Sequence, residues 1–255
     1  MSMKAWNPTR PAGAAMKAVL LAGACASWLA VATTATASTF NISPIRANLG
    51  GARHTDVLTL ANAEDEPVVV QVKVVRWSQA GGEESLEDTR DLLATPPVLQ
   101  IGPKSEQIVR VALRQPPDPG KELSYRLIFQ EVPQAPKKDF VGLRVALRLS
   151  VPVFIAPAAA KPAADVAWQS RWLDDGKLEI AAENRGNAHL QVSDFEVQLA
   201  QGAPVRGLSS KYVLPGSRMS WVLTPPPDAK RDGPIKIHGH SDQGEFSADV
   251  LSNGL

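Results

Sequence analysis

The sequence contains one cysteine, Cys25, and it lies in an apolar stretch near the start of the chain. Lys4, Arg10 and Lys17 make this start basic, and no acidic residue lies within it. A basic start followed by an apolar run is typical of a secretory signal peptide. If Cys25 is removed with the signal, the exported protein has no thiol and no disulfide, and its core alone must stabilise it.

The apolar run Ala18–Ala32 leads into the small residues Ala35–Ala37. We expect cleavage after Ala37, so that residues 1–37 form a signal peptide. One alternative is a membrane anchor, although the run is shorter than the ~20 residues that cross a bilayer. Another is lipidation at Cys25, where Ala22 occupies the position expected to hold a bulky aliphatic residue.

The sequence also lacks an excess of either positive or negative charge. Without the three basic residues of the signal, the 27 Lys and Arg residues fall to about 24, against 26 Asp and Glu. This near balance gives no basic excess that would point to nucleic acid. No further apolar run could cross a membrane, so we expect no stable membrane insertion.

Catalytic motifs are absent too, since there is no GxSxG, GxGxxG or Walker-type loop. The four histidines, none in a catalytic or zincin context, are His54, His189, His238 and His240. His238 and His240 would share one face of a strand, but no third metal ligand is spaced nearby. We therefore expect no enzyme activity and no cofactor.

What the sequence does contain is a series of short apolar segments separated by turn residues, with no useful helical periodicity. The segments of the first half are Thr39–Leu49, Thr55–Ala61, Val68–Trp77, Leu92–Ile101, Glu106–Leu113, Tyr125–Val132 and Phe140–Pro157. Pro44 marks the first as an edge strand. Gly81–Gly82 is read as a turn, and the acidic cluster at residues 83–88 as a solvated loop. Seven strands at this spacing predict an immunoglobulin-like β-sandwich over residues 38–157.

The stretch Pro157–Ala164 lacks large apolar residues and is typical of a linker. Beyond it the same pattern of short strands and turns recurs on a smaller scale, in the segments Val166–Leu173, Lys177–Asn184, Leu190–Leu199, Ser209–Leu214, Met219–Pro225, Ile235–His240 and Glu245–Leu251. We predict a second, smaller β-sandwich over residues 158–255, which makes the protein all-β with two domains in tandem.

The last segment of the first domain alternates most regularly. Its apolar positions are Val141, Leu143, Val145, Leu147, Leu149 and Val151, and the positions between them are small or charged. A long apolar strand at the end of a domain often lies at a sheet edge. Such an edge is a hazard unless another chain is meant to pair with it.

Several segments together resemble one family. They are FNISPIRANL, LLATPPVLQIGPKSEQIVRVAL, ELSYRLIFQEVP and ALRLSVPVF, with NRGNAHLQV and YVLPGS in the second half. The sequence is similar to the PapD-like periplasmic pilus-assembly chaperones of the chaperone–usher pathway. The resemblance implies two immunoglobulin-like domains in a boomerang-like arrangement, a periplasmic location, and delivery of pilin subunits to an outer-membrane usher.

The resemblance also implies that the alternating strand completes the fold of a pilin subunit by donor-strand complementation. The side chains that would enter the subunit are Val141, Leu143, Val145, Leu147 and Leu149. The alternative is that they face the sandwich core of their own domain, and some could do both.

In this family, basic residues hold the carboxylate at the subunit's C-terminus, and here the first of them matches Arg46. The second, a lysine, falls on Pro152, so the resemblance implies an incomplete pair, for which Arg126 on the neighbouring strand is the candidate replacement. SVPVF resembles the archaic or alternative branches. Glu122 matches an interdomain glutamate, but Ala156 stands where its arginine partner is expected.

Two other classes remain open. One is an exported immunoglobulin-like structural protein or adhesin without a client. The other is a carbohydrate- or metal-binding accessory domain that uses His238 and His240.

Overall fold

The computed structural model describes residues 40–134 and 145–253. These residues form strands, turns and loops, so the all-β prediction is confirmed. The predicted signal peptide and the start of the last alternating segment, residues 140–144, lie outside the described residues. No helix in the described ranges is long and apolar enough to cross a membrane.

The first half forms two sheets. Its strands are β1 (Phe40–Ser43), β2 (Ala47–Leu49), β3 (Thr55–Asn62), β4 (Val68–Ala80), β5 (Glu83–Asp88), β6 (Leu92–Thr95), β7 (Val98–Ile101), β8 (Glu106–Leu113), β9 (Leu123–Glu131) and β10 (Arg148–Ile155). One sheet has the order β1-β3-β8-β6, and the other has the order β2-β10-β9-β4-β5, with β7 also beside β4.

One apolar core lies between these two sheets. Leu58 and Val109 face it from the first sheet, and Val70 and Phe129 face it from the second, all of them fully buried. Each strand sends alternate side chains inward because successive residues of a strand point to opposite faces. The predicted sandwich follows from this pattern.

Two predicted segments are each divided by proline. The first passes from β1 to β2, and so from an edge of one sheet to an edge of the other, after the cis Ser43–Pro44 peptide bond. The segment Leu92–Ile101 becomes β6 and β7, with a second cis bond at Thr95–Pro96. Proline lacks the amide hydrogen that a continuous ladder requires.

The prediction that residues 83–88 form a loop is wrong. They form β5, which pairs with the end of β4 through the turn at Gly81–Gly82. Both glycines have a positive φ, +62° and +84°, which suits a tight turn. All six side chains of β5 are exposed, so no apolar alternation marks the strand in the sequence.

The second half has its own core. Its strands are β11 (Val166–Trp172), β12 (Leu178–Asn184), β13 (Leu190–Gln198), β14 (Val205–Gly207), β15 (Lys211–Val213), β16 (Arg218–Leu223), β17 (Pro234–Ser241) and β18 (Gly244–Asn253). They follow the order β14-β13-β17-β18-β11-β12-β16, with β15 also beside β13. Seven of these strands match predicted segments, and the three-residue β14 was not predicted. The core of this half shares no residue with the first core.

Candidate functional site

Strand β10 has an open edge. It pairs with β9 along all eight residues, but with β2 only over Val153–Ile155. Within the described ranges, Arg148–Pro152 has no strand on that side. The Glu131 amide donates to the Leu147 carbonyl at 2.9 Å, so the alternating ladder turns the backbone groups of Arg148 and Ser150 outward.

The apolar side chains of β10 and of residues 145–147, which precede it, become less buried away from the domain centre. Val151 lies in the core of the first half, Leu147 and Leu149 are half-buried against that core, and Val145 is 59% exposed. The predicted donor residues Val141 and Leu143 lie outside the described residues. Leu147 and Leu149 therefore contact their own core with part of their surface and present the rest at an open sheet edge.

Arg46, predicted to hold a subunit carboxylate, is already paired with a carboxylate of its own chain. Its Nη1 donates to Asp242 Oδ2 at 2.9 Å, and its Nη2 donates to Gln191 Oε1 at 2.7 Å. Burial lowers the pKa of Arg46, but Tyr212 and Asp242 outweigh it and the pKa rises. The side chain remains 27% exposed.

Arg126 lies directly opposite Pro152 in the β9–β10 register. Its guanidinium group lies 3.7 Å above the centre of the Trp77 ring, which is a cation–π geometry. Nη1 donates to Ser150 at 3.4 Å, and Nη2 contacts Glu84 at 3.5 Å. Thus the structure places an arginine beside the position where the resemblance implies a lysine.

An aromatic cluster joins the surroundings of the two arginines. Trp77 lies edge-on to Tyr212 with ring centres 5.3 Å apart, and Phe154 lies 6.0 Å from Trp77 and 5.6 Å from Tyr212. Arg126 covers Trp77, and Arg46 lies 5.8 Å from Phe154 and 5.7 Å from Tyr212. Both cations therefore border one apolar surface.

Glu122 contacts the second half through His189. One carboxylate oxygen accepts the His189 backbone amide at 3.0 Å and lies 2.7 Å from Nδ1. Asp242 lies 3.3 Å from Nε2 without the alignment of a hydrogen bond. The ring also stacks on Phe154 at 3.5 Å. His189 thus contacts the glutamate for which the resemblance implies an arginine partner at Ala156.

The contacts among Glu122, His189 and Asp242 shift the pKa values of His189 and Asp242. Burial lowers the pKa of His189, but the carboxylates of Asp242 and Glu122 outweigh it, so the pKa rises above the ordinary value. Burial raises the pKa of Asp242, while contacts with His189, the Gln191 amide and Arg46 lower it to about 2. When His189 is protonated, the carboxylates of Glu122 and Asp242 face two cations, His189 and Arg46, so these four side chains carry no net charge.

Gln79 is a further contact that sequence reasoning missed. Its Nε2 donates to the Tyr212 carbonyl, and its Oε1 accepts the Leu214 amide, both at 2.9 Å. The alternation of β4 shifts by one residue between Val72 and Val75, and the new series of buried positions continues to Gln79. This shift is the feature that could have pointed to Gln79. From Val75 onward it is the opposite face of the strand that is covered.

The histidine pair is not assembled into a metal site. His240 Nδ1 lies 3.0 Å from Asp194 and its Nε2 lies 3.8 Å from Glu245. His238 is two residues earlier on β17. Across the described part of the chain, no group of three or more His, Cys, Asp and Glu side chains could hold a metal ion.

Residues 39–161 match the family of pili and flagellar-assembly chaperones, described as the PapD N-terminal domain. Residues 39–161 thus form an N-terminal domain of the PapD-like pilus-assembly chaperone family. No curated protein sequence matches the chain significantly.

Solved structures of pilus chaperones share the fold. A chain of the CsuC–CsuE chaperone–tip adhesion subunit complex, from archaic Csu pili of Acinetobacter baumannii, has a TM-score of 0.64 at 21% identity. The alignment covers 85% of this chain and 100% of that one. The Salmonella enterica SafA pilin–SafB chaperone complex aligns with a TM-score of 0.56 and 18% identity, covering 85% and 97%.

The YadV chaperone aligns with a TM-score of 0.60 and 20% identity, covering 82% of this chain and 98% of that chain. At these identities the likeness shows the two-domain PapD-like fold. Assignment to the archaic branch stays a prediction.

Proposed function

We propose that this PapD-like protein is a periplasmic chaperone that binds pilin subunits by donor-strand complementation and delivers them to an outer-membrane usher. The observation that carries the proposal is the open edge of β10, where outward backbone groups accompany alternating apolar side chains. An added strand would pair with these backbone groups, and its neighbours would cover the apolar side chains.

Two of the compared structures support a pilin partner, since they are complexes of chaperones with a tip adhesion subunit and with a pilin. For this chain, the strand that enters a subunit would comprise Val141, Leu143, Val145, Leu147 and Leu149. Each buried aliphatic side chain would contribute about 1.5–3 kcal/mol. Transfer to the growing fibre would occur when the strand of a neighbouring subunit fills the groove better.

The subunit's terminal carboxylate would bind at Arg126, with Arg46 nearby on the same aromatic cluster. Arg126 supports this role because it lies opposite Pro152 and its polar contacts are long. Arg46 supports it less, because Asp242 and Gln191 already bind its guanidinium group. A carboxylate held by arginine gains charge-assisted hydrogen bonds.

Periplasmic location agrees with the family of pilus-assembly chaperones and with the solved structure of the periplasmic chaperone SfaE, which is 14% identical to this chain. Removal of residues 1–37 by cleavage after Ala37 belongs to this proposal. So does the absence of enzyme activity, because the family is one of chaperones and not of enzymes.

The decisive test is co-purification with pilin subunits encoded beside the chaperone gene. Val145→Asp should abolish recovery of the complex while the chaperone stays folded, because Val145 is already 59% exposed. Val222→Asp is the matched control, since Val222 is 56% exposed on β16. Equal recovery for both variants would contradict strand donation. If the wild-type protein captures no pilin, the alternative of an exported structural protein or adhesin is favoured.

A further inference from the structure

The Arg126 side chain is mostly buried but loosely paired. It is 15% exposed, and its polar contacts are Ser150 at 3.4 Å and both carboxylate oxygens of Glu84 at 3.5 Å. These distances lie beyond the usual 2.7–3.2 Å range of hydrogen bonds from nitrogen. Arg46, by comparison, binds Asp242 at 2.9 Å.

The Trp77 ring stabilises the cation but does not neutralise it. Burial lowers the pKa of Arg126, and the contacts with Glu84 and Tyr212 offset this only in part. A buried cation gains free energy from a closely held anion, because water no longer solvates its charge fully. The site is therefore suited to receive a carboxylate that approaches more closely than Glu84 does.

Glu84 is placed where it can leave. It lies on β5, which among the described residues pairs only with β4 and has all six side chains exposed. The Glu84 side chain itself is 42% exposed. Because Glu84 is already partly in water, moving it away from Arg126 changes its own solvation little, and the 3.5 Å contact that is lost is a long one.

We propose that Glu84 is an internal carboxylate that occupies Arg126 in the free chaperone and is displaced by the terminal carboxylate of the bound subunit. The inference rests on the proposed function, in which Arg126 receives that carboxylate. Pro152 lies directly opposite Arg126, so the two residues share one sheet face. Ser150 lies two residues before Pro152 and therefore shares this face as well. The incoming carboxylate would therefore bind beside the donated strand, and Glu84 would keep the cation paired while no subunit is present.

In the test, N-acetylglycine is titrated into the chaperone without its signal peptide. N-acetylglycine ends in a free carboxylate, as a C-terminal residue does. N-acetylglycinamide is the uncharged control ligand. The readout is the indole N–H resonance of Trp77 in nuclear magnetic resonance spectra, assigned with Trp77→Phe. Glu84→Gln should bind N-acetylglycine about three- to tenfold more tightly than the wild type. Glu83→Gln, which removes the same charge from the neighbouring residue, should bind as the wild type does.

Each outcome bears on a different part of the inference. Equal affinities for Glu84→Gln and the wild type would overturn the role of Glu84 as a competitor. Arg126→Ala should lose binding, and binding that persists would place the carboxylate elsewhere and overturn the inference. If no variant binds N-acetylglycine, the carboxylate site is refuted, whereas strand donation is decided separately by the Val145→Asp co-purification.

Discussion

The contact between Glu122 and His189 yields a prediction whose size depends on pH. The Glu122 side chain is 6% exposed. Its carboxylate accepts a hydrogen bond from the His189 backbone amide and lies 2.7 Å from Nδ1 of the His189 ring. Glu122→Gln retains a neutral oxygen that can accept one hydrogen bond but removes the buried charge. Hydrogen bonds to charged groups contribute about 1.5–3 kcal/mol, against about 0.5–1.5 for neutral ones.

From these contacts we expect Glu122→Gln to lower the free energy of unfolding by about 2–3 kcal/mol at pH 5.5, where His189 is protonated. Because the pKa of His189 is raised in the folded protein, its charge contributes stability that is fully present below about pH 6.5. This contribution is lost as the pH rises through the raised folded value. The loss caused by Glu122→Gln should therefore shrink to about 1 kcal/mol at pH 9.5.

The assay is urea unfolding followed by tryptophan fluorescence at pH 5.5, 7.5 and 9.5. Glu196→Gln is the matched control, because Glu196 pairs with Arg206 at 3.3 Å with both side chains exposed. That variant should stay within about 0.5 kcal/mol of the wild type at every pH. A loss for Glu122→Gln that is the same at all three pH values would refute the reasoning, since the charge on His189 would then be irrelevant.

The remaining predictions concern three other positions. Gln79→Ala should lower the free energy of unfolding by about 2–3 kcal/mol in urea, because two backbone groups, of Tyr212 and Leu214, lose their partners. Asp242→Asn should destabilise the protein at pH 6 but progressively less below pH 4, as measured by acid titration. The pKa of Asp242 is about 2 in the folded protein, against about 3.9 in the unfolded chain, so its charge contributes stability above pH 3.9. This contribution is lost as the pH falls through 2. Gly239→Ala should cost about 1–3 kcal/mol in thermal unfolding, because its Cβ would lie 2.5 Å from the Asp194 carbonyl oxygen.

The strands with one buried face were readable from residue order. In β3, β8 and β9 apolar residues recur at the two-residue period of a strand, so their segments were predicted within a few residues. β5 was not readable, because its six side chains are all exposed and no face of it is apolar. A strand held mainly by backbone pairing leaves no such pattern.

The candidate site was readable only in part. The alternation before Val151 and the family resemblance identified β10, and Arg126 was selected because it lies on the strand predicted to neighbour the donor strand. His189 was not predicted as the partner of Glu122, because the two residues are 67 positions apart and residue order does not show that they meet in space. Gln79 could have been suspected only from the change of phase in β4, since it continues the alternation of Val75 and Trp77.

The residue sequence by itself determined an all-β chain in two halves and a strand with an apolar face at the end of the first half. These features follow from local periodicity and turn residues, which need no knowledge of distant contacts. Only the tertiary structure decided that Arg46 pairs with Asp242, that Arg126 is buried on Trp77 beside Glu84, and that His189 contacts Glu122. The physical reason is that pairing between charges depends on distance and burial in space, which residue order does not specify.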